Sequence, residues 1–156
     1  MRSFAALILL AALARPAAAA PLRAEGAWFR YLLSSIPAGG YVTLTNPGTE
    51  AVVLTGVASP ACGSLMFHRT DSQGGMERMI AVPHIRVPAG GRFRFAPGGY
   101  HLMCNAPHMH PGQTVPVTFR LAHGAPLVVR FAVRGANASG PPAAAPAPAP
   151  MRMKTQ

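Results

Sequence analysis

The chain has 156 residues, of which 14 are Lys or Arg and only 4 are Asp or Glu, giving a formal charge of +10. The four carboxylates, Glu25, Glu50, Asp71 and Glu77, are scattered through turns and near the terminus, and no serine or cysteine nucleophile stands beside a plausible base, so an enzyme is not expected. The arginines are spread out, with no recognition helix or stacking platform between them, which argues against nucleic acid as the partner.

Residues 1–20, "MRSFAALILLAALARPAAAA", read as an export signal: Arg2, an apolar run from Phe4 to Ala14, then small residues suited to cleavage. That run is too short to span a bilayer comfortably, and no later segment approaches the roughly twenty apolar residues a membrane helix needs, so stable membrane insertion is not expected. No cysteine lies near the cleavage region, which argues against a lipid-anchored start. Residues 21–134 are expected to form one domain. Residues 135–156 are Ala/Pro-rich without an apolar face and read as a disordered tail.

Within the domain, turn signals recur at short intervals: "TNPGTE" at 45–50, "DSQGG" at 71–75, "PAGG" at 88–91, "APGG" at 96–99, "HPGQ" at 110–113 and "AHGA" at 122–125. The first strands between them are "GGYVTLTN", "AVVLTGVA" and "SLMFHRT". "RFRFA" then sets Phe93 and Phe95 against Arg92 and Arg94. "TVPVTFRL" sets Val115, Val117, Phe119 and Leu121 against polar neighbours, and "PLVVRFAV" does the same with Leu127, Val129, Phe131 and Val133. About seven to nine such strands without a helical stripe predict an all-β, single-domain fold, a Greek-key β-sandwich of cupredoxin-like or Ig-like type.

The chemistry concentrates in "GGYHLMCNAPHMH", residues 98–110, read as a loop that holds three histidines, two methionines and a cysteine. In "HLM", His101 and Met103 point the same way if the backbone is extended. In "SLMFHRT", Ser64, Met66 and His68 share a face, and "GGMERM" adds Met76 and Met79. Taken singly, a strand histidine or the methionines at 66, 76 and 79 are ordinary structural residues. Together, two imidazoles and two thioethers form a soft set without a carboxylate. Calcium, magnesium and manganese prefer oxygen, zinc normally adds thiolate or carboxylate, and Cu(I) suits thioethers.

His68, Met79, His101 and Met103 fall at H-x10-M-x21-H-x-M, the spacing of the copper motif of the periplasmic copper chaperone family PCuAC. The chain also resembles that family in "AWFR", "YVTLTNPG", "ASPACGSLMFHRT", "VPAGGRFRFAPGGYHLM" and "GQTVPVTFRL", over roughly Gly26 to Val133. The resemblance implies a periplasmic metallochaperone holding one Cu(I) per domain through His68, Met79, His101 and Met103 at an edge of the sandwich. It further implies copper-donating or copper-accepting partners in the periplasm, including oxidase assembly factors or the oxidase copper subunit, and delivery to the binuclear copper site of cytochrome c oxidase. The chain departs from many members in Arg69, where an acidic residue is usual, and in the "CNAPHMHPGQ" that follows the H-x-M pair.

Cys62 and Cys104 are read as a disulfide, with free thiols that ligate copper as the alternative. His108, Met109 and His110 form either a weaker second site, suited to Cu(II), or a solvated loop tip. Met151 and Met153 on the tail are candidates for capturing copper. Two other functions stay open on these residues: a blue-copper electron carrier using Cys104 and His108, and a sandwich that binds only proteins.

Overall fold

A computed structural model describes residues 22–137. The signal segment, nearly all of the tail, and Met151 and Met153 lie outside the described residues. Ten strands follow in order: β1 (Arg23–Arg30), β2 (Ala38–Thr45), β3 (Val52–Ala58), β4 (Cys62–Gln73), β5 (Met76–Ala81), β6 (Ile85–Val87), β7 (Arg92–Phe95), β8 (Tyr100–Pro107), β9 (Thr114–Leu121) and β10 (Leu127–Arg134). The all-β expectation holds. The alternation read in β7, β9 and β10 is also the observed one, with Phe95, Val115, Val117, Phe119, Val129, Phe131 and Val133 buried.

The strands pair in the order β5-β4-β8-β2-β1-β10-β9-β3-β6, with β7 also on β2. All pairs are antiparallel except β1 with β10, the first strand with the last. One edge of β2 serves two strands: Ala38 to Gly40 face β8, and Val42 to Thr45 face β7. That change of partner lets the pairing path fold back on itself. Four strand spacings separate β7 from β9 along the path, about 19 Å in a flat sheet. Instead, the rings of Phe95 and Phe119 lie 6.5 Å apart. The aromatic chain continues from Phe119 to Phe131 at 6.4 Å and from Phe131 to Phe29 at 5.0 Å, while Phe67 of β4 stacks on Phe95 at 5.9 Å. These rings fill the space between the two layers of the sandwich.

Two departures from the sequence reading matter for function. Residues 100–107, taken as loop, are strand β8, hydrogen-bonded to β4 on one side and to β2 on the other. Residues 76–81 are a strand as well, but an edge strand with all six residues exposed. Cys62 and Cys104 form a disulfide that ties the start of β4 to the middle of β8.

Candidate metal centre

The register of β4 and β8 decides which donors meet. His68 stands directly opposite His101, and Met66 directly opposite Met103. The alternate residues Phe67, Leu102 and Cys104 enter the core, so the two histidines and two methionines occupy the opposite, outward face. On β5, Ala81 is opposite His68 and Met79 opposite Thr70, which puts Met79 on that same face, diagonal to His68. Diagonal neighbours in a sheet are about 7–8 Å apart at the backbone, within reach of a long thioether side chain. Thus the four residues of the motif share one surface of three adjacent strands, although 35 positions separate the first from the last.

The imidazoles are the buried part of this surface. His68 is 8% exposed and His101 7%, and their rings lie 6.0 Å apart, 24° from parallel. His101 Nδ1 is 3.0 Å from the carbonyl oxygen of Gly99. A carbonyl only accepts, so Nδ1 carries the proton and Nε2 is left as the ligating nitrogen, an arrangement common to metal-bound histidines. No hydrogen bond of ordinary geometry reaches the buried His68 Nδ1, although the Met66 backbone lies near enough to favour its protonated form. A buried polar atom left unpaired is costly, and a metal ion is one way to satisfy it. Burial holds the His68 pKa below the ordinary imidazole value of 6.5, the neighbouring His101 lowers it further, and the Met66 backbone partly offsets both. The lowered pKa keeps a neutral His68 imidazole available to an ion.

Among the described residues no three His, Cys, Asp or Glu side chains gather as a metal site. The side-chain donors that the sheet sets beside the two imidazoles are thioethers. That composition fits Cu(I) and disfavours oxygen-seeking cations.

Residues 22–133 match the model of the family described as "Putative lipoprotein LpqE-like". The chain belongs to the LpqE-like family. A curated relative is "Putative lipoprotein Lxx21020" of Leifsonia xyli subsp. xyli, 34% identical over 118 residues, covering 71% of this chain and 70% of the relative. The solution structure of apo-DR1885 from Deinococcus radiodurans is 30% identical, covers 88% of this chain and 94% of its own, and superposes with a TM-score of 0.58. Its CuI-DR1885 form is 29% identical, with 80% and 83% covered and a TM-score of 0.54. The copper-bound PCuAC domain from PmoF2, at 24% identity, covers 77% of this chain and 97% of its own with a TM-score of 0.63, a likeness of fold. The PCuAC resemblance read from the motif is borne out.

Within this LpqE-like chain, residues 108–110 match neither of the two alternatives read from sequence, a weaker second site or a solvated loop tip. Met109 is 1% exposed and packs in the core, whereas His108 and His110 on either side are exposed, so the three side chains do not converge on one ion. The disulfide also removes Cys104 as a thiolate, and with it the blue-copper arrangement and the thiol-ligation alternative.

Two neighbours were not counted with the site from sequence. Met66, at 38% exposure, is no core residue, and neither are Met76 and Met79, each 62% exposed. On the other flank of Met103 stands Gly39 of β2, where a Cβ would lie 2.6 Å from the Tyr41 hydroxyl oxygen. The Tyr41 phenol therefore leans over Gly39 towards the site. Its ring packs 4.9 Å from Trp28, and the Arg30 guanidinium lies over both rings.

Proposed function

We propose that this chain is an exported copper chaperone that carries one Cu(I) on the outward face of β4, β5 and β8, using His68, Met79, His101 and Met103. The observation that carries the reading is the register: His68 opposite His101, Met103 two residues along, and Met79 diagonal on the next strand. The Cu(I) form of DR1885 and the copper-bound PmoF2 domain support copper as the cargo.

The donor set suits transfer as well as storage. Thioethers need no deprotonation and take no part in disulfide exchange, so disulfide formation does not remove them as ligands in an oxidising compartment. Met79 is exposed on an edge strand, which lets an incoming ligand displace it without disturbing the core. Release then proceeds by exchange of one ligand for another rather than by dissociation of a bare ion. The family resemblance supplies the destination we propose, a periplasmic copper acceptor such as the binuclear copper site of cytochrome c oxidase.

The test is an anaerobic competition titration of the mature chain against a coloured Cu(I) chelator, with ascorbate present. The wild-type chain is expected to take one equivalent, and His101→Ala or Met103→Leu to weaken binding about 100-fold or more while staying folded. Unchanged affinity in the folded variants would falsify the assignment.

A further inference from the structure

Met66 lies outside the H-x10-M-x21-H-x-M motif, yet the sheet places it among the donors. It is directly opposite Met103, two residues from His68 on the same face, and 38% exposed. Sequence symmetry produces this. M-x-H at residues 66–68 and H-x-M at 101–103 are mirror images, and antiparallel pairing of His68 with His101 forces Met66 against Met103. The β4 and β8 ladder alone thus presents two imidazoles facing each other beside two thioethers facing each other.

We propose that Met66 is an additional copper ligand, a third thioether that exchanges with Met79 at the same ion. The inference rests on the copper reading above and adds a residue to it. Directly opposed residues have Cβ atoms about 4.5–5.5 Å apart, closer than the diagonal path from Met79 to His68. Methionine has three rotatable side-chain bonds, so a half-exposed residue can turn its sulfur towards a neighbour at little cost. In the exchange one copper–sulfur bond forms to Met66 as the one to Met79 breaks. The ion stays Cu(I), and no proton moves, because neither thioether carries one. Copper is held by four donors of the disulfide-tied ladder whenever Met79 swings away to admit an acceptor. The chain can then open its site to a partner without leaving the ion three-coordinate.

The experiment compares the mature wild-type chain with Met66→Leu, Met79→Leu and the double variant, by Cu(I) competition and by copper K-edge X-ray absorption. Leu is close in volume to Met and both positions are solvent-accessible, so all three variants are expected to fold, which a thermal melt checks. Met79→Leu is expected to weaken binding by about tenfold or less, and the double variant by at least about tenfold beyond that, with a sulfur count one lower than in Met79→Leu. If Met66→Leu in the Met79→Leu background changes affinity by less than about tenfold or leaves the sulfur count unchanged, Met66 is not a ligand. His101→Ala separates the two readings: unchanged affinity there sinks the copper site itself, whereas a loss there with an inert Met66 sinks only this proposal.

Discussion

The β4–β8 pair and the β4–β5 pair are both antiparallel, both carry donors of the candidate site, and share a strand, yet they are built differently. In β8, core residues alternate with site residues, β2 flanks its far edge, and the disulfide anchors it to β4. In β5 all six residues are exposed, and among the described residues β4 is its only hydrogen-bonded neighbour. Stability is not uniform in a folded chain, and an edge strand with little buried apolar surface belongs to the part that opens most readily. The difference teaches a division of labour: imidazoles sit on the part that stays closed, and the most exposed thioether on the part that opens.

The largest test of that division is removal of the disulfide. Cys62 and Cys104 are 42 positions apart, and the loop-entropy model assigns a bridge of that span about 4 kcal/mol. The Cys62→Ser/Cys104→Ser double variant is expected to lose stability of that order in equilibrium urea unfolding. A loss below about 1 kcal/mol would show that the ladder does not depend on its staple.

Next comes Gly40, which backs β8 from the core side. A Cβ there would lie 2.5 Å from Cε1 of Phe29 and 3.0 Å from Cβ of Leu102, both fully buried residues. Gly40→Ala is expected to cost about 1–3 kcal/mol, because neither a packed ring nor a Cβ can yield cheaply. The counterpart on the edge strand is Met79→Leu, expected to shift stability by no more than about 0.5 kcal/mol. Similar costs at the two positions, measured in the same unfolding series, would erase the contrast.

The sequence carried the architecture wherever strands are half-buried, since alternation in residues 92–95, 114–121 and 127–134 reflects a core on one side only. It did not reveal residues 76–81 as a strand, because a strand exposed on both faces has no hydrophobic period. Residues 85–87 are too few for a pattern. In β1 the register shifts between Glu25 and Trp28, at a Gly26 with φ of 63°, and beyond the shift Trp28 and Phe29 point to opposite faces yet both are buried, Phe29 in the core and Trp28 beneath Tyr41, Arg30 and Arg134, so burial does not alternate. The site was legible as spacing. Its mirror symmetry was equally present in the letters around His68 and His101, but it acquires meaning only with the cross-strand register, which is a tertiary fact. "HMH" left both a ligand cluster and a solvated tip open, and only the core shows that its middle residue packs inward.

The smallest effect expected separates the two regions by pH. His68 on the ladder has its pKa below 6.5 in the folded chain, chiefly from burial and then from the facing His101. On unfolding it returns to the ordinary value of about 6.5. Between that value and the lower folded one, the unfolded chain binds more protons, so stability falls as pH falls through this window and is flat with respect to His68 above it. Copper-free chain should therefore show a urea midpoint that declines from pH 7 towards pH 5. His101→Gln should shrink the decline by removing the second cause of the shift, and His68→Gln should abolish it. Met79→Leu should leave it as in the wild type, since a thioether does not titrate and the causes of the His68 shift are burial, His101 and the Met66 backbone. A decline that survives His68→Gln would mean that the buried imidazole is not what senses the proton, and that the ladder's closed character does not extend to the histidines it holds.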